Sequence, residues 1–196
     1  MGYDPQRHHR RSIQLRGYDY RTCGAYFVTV CVRRHSRVLG QVHNGKVFLS
    51  EWGTIVERTW HVLPERFPVE LDAFVIMPDH IHGMLWLISP ETGGPRSIPA
   101  DQAGGSHLAG KAESHPDDTD DSHPAGKGGS RPALTTKPLG GIIGALKTMS
   151  ARQINVVRGT PGVPFWQRDF YERIVRDEAA LWRIREYIRC NPQRWR

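Results

Sequence analysis

Residues 69–88, VELDAFVIMPDHIHGMLWLI, are two apolar runs separated only by Pro78 and Asp79. Parallel neighbours need a dozen or more connecting residues, so strands joined by a dipeptide must run antiparallel. A sheet that includes this hairpin therefore has at least one antiparallel pairing. Side chains alternate along a strand, so His80 and His82 share one face and Ile81 takes the other. Two imidazoles spaced in this way can hold a single divalent ion. On spacing alone, two hydrogen-bonded or edge histidines explain the pattern as well.

The flanking segments read as helices and further strands. AYFVTVCVRR (25–34) is rich in β-branched and aromatic residues and predicts a strand. GKVFLS predicts a short second strand after a loop over 38–44. Ser50 predicts the cap of a helix, EWGTIVERTWHVLPERF, whose Trp52, Ile55, Val56, Trp60 and Leu63 share one face. LGGIIGALKTMSARQINVVRG predicts a helix closed by Gly159. FWQRDFYERIV predicts another strand, Asp177 an N-cap, and EAALWRIREYIRC a last helix stopped by Asn191-Pro192. The helices in this order cannot all be parallel crossovers. The fold class expected is α+β, an antiparallel sheet with helices packed on it.

Residues 89–138 interrupt that order. They contain no Phe, Trp, Tyr, Val or Met and are dense in Gly, Pro and Ser. Such a stretch cannot bury enough apolar surface to offset the entropy of ordering, so it is expected to be a disordered insert. SHLAGK at 106–111 recurs as SHPAGK at 122–127, and His107, His115 and His123 recur at intervals of eight, as repeat expansion in an unconstrained loop produces. A single domain is then expected from 1–88 and 139–196.

Net charge is +7, yet residues 89–138 hold seven acids against five bases, so the rest of the chain is more basic than the total. A core that basic suits a polyanion, most simply nucleic acid. Arg7, Arg10 and Arg11 form a basic arm suited to following phosphates, and a solvated terminus explains them equally. Trp166, Phe170 and Tyr171 offer rings for unpaired bases or for the core, the commoner use. Cys23, Cys31 and Cys190 show no CxxC spacing, which argues against a disulfide framework or structural zinc. No run approaches membrane-spanning length and the first residues are too polar for a signal peptide. A cytoplasmic protein with no membrane partner is expected.

The last helix carries Tyr187 and Asn191, four apart and therefore on one face. Asn191 can offer an amide oxygen to a metal and Tyr187 a phenol. Tyr187 as a core aromatic and Asn191 as a helix cap remain open on these residues alone.

MPDHIHG, followed downstream by WQRDFYERIVRDEAALWRIREYIRCNP, resembles the single-tyrosine HUH transposases, and within them the REP-associated tyrosine transposases. RRSIQLRGYDYRTCGAYFVTVCVRR and KPLGGIIGALKTMSARQINVVRGTPG share that likeness, so it covers most of residues 10–88 and 137–195. The resemblance implies a ferredoxin-like fold and a metal-dependent nuclease and strand transferase. Its substrate would be single-stranded DNA at hairpin-forming repeats. It implies His80, His82 and Asn191 as ligands of Mg²⁺ or Mn²⁺, and Tyr187 as the nucleophile that forms a 5′-phosphotyrosine link. Arg183, with Arg7, Arg10 and Arg11, is a candidate DNA contact. Relatives commonly read MPNH where this chain has Asp79, and many carry histidine where it has Arg173. Asp79 suits the turn; Arg173 has no account from sequence. A catalytically inactive, hairpin-specific nucleic-acid binding protein is the alternative, and either a monomer or a homodimer is compatible with both.

Overall fold

The computed structural model describes residues 18–89 and 138–195. Six strands and four helices follow in order: β1 (Gly24–Cys31), β2 (Gly40–His43), β3 (Lys46–Leu49), α1 (Glu51–His61), α2 (Leu63–Arg66), β4 (Val69–Ile76), β5 (His80–Leu87), α3 (Leu139–Val157), β6 (Tyr171–Val175) and α4 (Glu178–Arg194). The main sheet has the order β4-β5-β1-β6, and every pairing in it is antiparallel. Two β-α-β halves, β1-α1-β4 and β5-α3-β6, thus interleave their strands. This is the ferredoxin-like α+β arrangement expected. The 89–138 insert lies, apart from its two end residues, outside the described residues, as do Arg7, Arg10 and Arg11.

Alternation along the strands gives the sheet two different faces. Tyr26, Val28, Val30, Ile81, Leu85 and Leu87 point to the side covered by α1 and α3, where they join Val56, Trp60, Ile142, Ile143, Leu146 and Ile154 in the main core. Ala25, Phe27, Met84, Trp86 and Val175 point the other way, against Leu181, Ile184 and Ile188 of α4. The two imidazoles of β5 fall on the α4 face by the same alternation. Gly83 is needed between them and the core: a Cβ there would sit 2.4 Å from the Trp60 ring, which stacks on Phe74 at 4.6 Å.

Both predicted N-caps form. Ser50 Oγ accepts from the Gly53 N–H at 3.1 Å and Asp177 Oδ1 from the Ala180 N–H at 2.6 Å, each satisfying an amide that the helix leaves unpaired. Gly159 takes a left-handed φ of 63° just past α3, as its predicted closing role requires.

Four local expectations are corrected. Residues 38–44 contain β2, paired with β3 through Asn44-Gly45, both at positive φ (51° and 71°); this is the hairpin turn that Asn-Gly favours. The helix expected over 51–67 divides at Val62, with Pro64 in the first turn of α2. The strand expected over 165–175 is regular only from Tyr171, because Lys147 Nζ donates to the carbonyls of Gln167, Arg168 and Asp169 (3.2, 3.1 and 3.0 Å) and holds them in a loop. Finally, α4 continues through Pro192 to Arg194. A proline in the last turn forfeits one amide donor but need not end the helix.

Candidate functional site

The tight turn before β5 sets the first half of the site. The Met77 N–H donates to the His80 carbonyl at 2.8 Å, closing the Pro78-Asp79 turn, and the Val32 N–H donates to the Asp79 carbonyl at 2.8 Å. His80 and His82 are thereby fixed at the start of a strand whose partners are Cys31 and Thr29 of β1. His82 is only 5% exposed. Burial, with the neighbouring His80 in second place, pushes its pKa down to about 3, so the ring is neutral at ordinary pH.

Each imidazole is oriented from behind. Asp79 Oδ1 accepts from His80 Nδ1 at 2.6 Å, and Thr29 Oγ1 lies 2.8 Å from His82 Nδ1. A carboxylate can only accept, so Nδ1 of His80 carries the proton. When that ring is neutral, its Nε2 is a bare lone pair. The two Nε2 atoms face each other at 3.0 Å.

α4 supplies the second half. Arg185 donates from Nε and Nη2 to the two oxygens of Asp72 at 2.9 and 2.6 Å, and Trp86 Nε1 donates to the same carboxylate at 3.0 Å. Burial alone raises the Asp72 pKa, but the hydrogen bonds from Arg185, Trp86 and the Ala73 N–H outweigh it and hold the carboxyl below its usual range. This anchor lays the helix across the sheet so that the Tyr187 hydroxyl stands 3.2 Å from His82 Nε2. Phe27 packs under both, stacked on His82 at 5.4 Å and edge-on to Tyr187 at 6.0 Å. Two turns after Tyr187, the Trp195 ring lies 6.1 Å from His80.

Of the residues predicted from sequence, His80, His82 and Tyr187 are brought together. Asn191 is half-buried on the α4 face between Tyr187 and Trp195 and makes no hydrogen bond to either imidazole. Arg183 is exposed one turn before Tyr187 on the same face. Among the described residues no cluster of three His, Cys, Asp or Glu side chains forms a metal site. Tyr171 pairs with Thr29 across β1, and Trp166 is core, its Nε1 donating to Ser150 Oγ at 2.9 Å. Arg173 is exposed opposite Phe27, on the site's side of the sheet. Sequence reasoning passed over Thr29, Phe27, Asp72 and Trp195. β1–β5 register and the packing of α4 bring Thr29, Phe27 and Trp195 to the histidines, Asp72 acts through Arg185, and none of this leaves a local motif.

The ferredoxin-like sheet thus carries two imidazoles on an inner strand, and α4 brings a tyrosine hydroxyl to one of them. The fold is that of the REP-associated tyrosine transposases. One of these, solved bound to a REP hairpin, matches with a TM-score of 0.51 and 17% sequence identity over 92% of this chain and 72% of that one. An uncharacterized protein of Haemophilus influenzae is 34% identical over 197 residues, which cover 98% of this chain and 93% of the relative; the chain belongs to the same family as that protein. No family model matches it. No helix among the described residues is long and apolar enough to cross a membrane.

Proposed function

We propose that the protein is a metal-dependent, single-stranded DNA nuclease and strand transferase of the transposase type, working at hairpin-forming repeats. The observation that carries this reading is the convergence of three groups at Nε2 of His82: Nε2 of His80 lies 3.0 Å from it and the hydroxyl of Tyr187 lies 3.2 Å from it.

The donor set suits Mg²⁺ or Mn²⁺. Nε2 of His80 and Nε2 of His82, 3.0 Å apart, would hold the ion between them. With lone pairs turned inward, both Nδ1 groups donate outward, to Asp79 and Thr29, the usual support for imidazole ligands. Asn191 would complete the protein's share by a side-chain rotation toward the pair. Such an ion supplies Lewis-acid polarisation of a non-bridging phosphate oxygen.

Tyr187 performs the displacement. Its oxygen forms a bond to phosphorus as the bond to the 3′ oxygen breaks; the phenol gives up its proton and the departing 3′ oxygen takes one up. The product is a 5′-phosphotyrosine that keeps the phosphodiester's free energy, so rejoining needs no nucleotide cofactor. A phenol is a weak nucleophile at neutral pH, so the displacement relies on positive charge at the site, and Arg183 is exposed one helical turn away on the same face. The transposase of this fold bound to a REP hairpin supports a folded single strand as the substrate here.

The test is a 3′-labelled hairpin oligonucleotide with single-stranded flanks, incubated with Mg²⁺ or Mn²⁺ and run on a denaturing gel. A labelled protein adduct is expected from the wild type and from Tyr171→Phe. It should vanish with chelator, in Tyr187→Phe and in His80→Ala. An adduct that survives Tyr187→Phe would overturn the assignment. Hairpin binding with no adduct under any condition would favour an inactive binding protein instead.

A further inference from the structure

The stretch that follows β1, Arg33-Arg34-His35-Ser36-Arg37, is exposed throughout and strongly basic. Antiparallel pairing puts it beside the histidines, because Cys31 is the partner of His80 and Val32 bonds to Asp79. Three contacts tie it there. His35 Nδ1 lies 3.4 Å from Asp79 Oδ2, the carboxylate that also holds His80. The other ring nitrogen of His35 lies 2.9 Å from Gln167 Nε2. The guanidinium of Arg37 sits 5.0 Å above the ring of Trp195, which itself abuts His80.

Two further observations set this turn apart from an ordinary solvated loop. Arg34 and His35 are consecutive non-glycine residues at positive φ, 59° and 51°. That conformation is costly and persists where surrounding contacts enforce it, commonly at ligand sites. In addition, Arg33, Arg34 and Arg37 form no ion pair with a carboxylate among the described residues. A basic turn therefore follows the strand that pairs with the histidines, with Arg37 over the half-buried Trp195 indole beside His80 and with Arg33 and Arg34 forming no ion pair among the described residues. Arginines for phosphates and an aromatic face for a base are the means by which proteins hold single strands.

We propose that residues 33–37 and Trp195 form a subsite for the nucleotides flanking the phosphate processed at His80, His82 and Tyr187. Arg33, Arg34 and Arg37 hold the phosphates and Trp195 stacks on a base. This assignment rests on the proposed function for the identity of its ligand, but it is a statement about binding and is tested without cleavage.

The measurement is fluorescence anisotropy of a labelled oligo(dT) titrated with the full chain carrying Tyr187→Phe, in Mg²⁺, over a series of salt concentrations. Replacing Arg33→Gln, Arg34→Gly and Arg37→Gln together should flatten the plot of log affinity against log salt by about 2, since each single-strand phosphate contact contributes about 0.7. Arg34→Gly suits the positive φ, so the turn's backbone survives the loss of charge. Arg33→Lys with Arg37→Lys should retain the slope. Trp195→Ala should weaken binding about tenfold with the slope unchanged, and Trp195→Phe should restore most of it. An unaltered slope in the triple variant, or full affinity in Trp195→Ala, overturns the subsite even if the wild type forms its adduct. A flattened slope and a weakened Trp195→Ala support it even if no adduct forms, a failure that would count against the cleavage reading alone.

Discussion

Asp79 shows how much one side chain can do behind a site. In the sequence it reads as a turn former after proline, and the turn is there, yet its carboxylate also fixes the tautomer of His80. Removing it with Asp79→Ala frees that ring to carry its proton on Nε2, where a cation would need the lone pair. Mn²⁺ affinity measured by calorimetry should then fall about 10- to 100-fold, the usual cost of losing such a partner. Asp79→Asn keeps an accepting oxygen and should lose less. Equal affinity in all three proteins would reduce Asp79 to its turn role. Gly83 is the complementary case, a residue defined by what it lacks. Gly83→Ala presses a methyl group into the Trp60 ring and should destabilise the fold by about 1–3 kcal/mol in urea denaturation. Nothing in HIHG by itself signals this, because the Trp60 indole comes from α1, with α2 and β4 between it and Gly83 in the chain.

At the scale of elements, α4 is the moving part that must not move. The double hydrogen bond from Arg185 to Asp72 anchors it one half-turn before Tyr187. Asp72→Ala leaves Arg185 without its partner and should cost about 2–3 kcal/mol, less than a fully buried pair because Arg185 keeps contact with water. Adduct yield should drop with it, although no catalytic atom is touched. The same pair gives a pH dependence. Its carboxyl titrates lower in the folded protein than in the unfolded chain, so the unfolded chain binds the proton first as pH falls. The stabilisation is complete above about pH 4 and is lost as pH drops through the folded-state value. Comparing urea midpoints at about pH 6 and pH 3, the advantage of the wild type over Asp72→Asn should be smaller at the lower pH. The helix and its Asp177 cap are legible from sequence because capping and spacing are local rules. Its passage through Pro192 is not, since a proline's effect depends on whether the surrounding contacts hold the last turn. β2 was legible in principle, through Asn44-Gly45, but its four residues are too few and too polar to stand out.

For the molecule as a whole, the two faces of the sheet divide the labour. The α1 and α3 side holds the larger core, and the α4 side combines a smaller core with the histidines and Tyr187. In the two β-α-β halves the longest connection is the one between β5, which ends at Leu87, and α3, which begins at Leu139. Replacing 91–136 with a Gly/Ser linker of about twelve residues should leave the adduct intact. By loop-closure entropy, a connection about fourfold shorter should stabilise the fold by about 1 kcal/mol. Thermal melts and the adduct gel would check both; loss of soluble protein would mean that the insert carries contacts its composition does not announce. The fold was legible because hairpin, helices and connection lengths admit few packings. The candidate site was legible only as far as the proximity of His80, His82 and Tyr187, since the residues that aim them come from four separate strands and helices.

Strand β5 serves the core and the site with alternate residues, Ile81 inward and His80 and His82 outward. Its history of insertions and deletions should therefore be the reverse of the β5-to-α3 connection. One residue gained or lost between Met77 and His80 would exchange the two sets, sending imidazoles into the apolar layer and isoleucine to the site. Substitutions around the Pro78-Asp79 turn can be absorbed one at a time, but a change of length there removes stability and chemistry in a single event. Among homologues, the spacing from Ile76 to His82 should be as constant as the residues themselves, while the far longer segment after Leu87 is free to differ in length from one to the next.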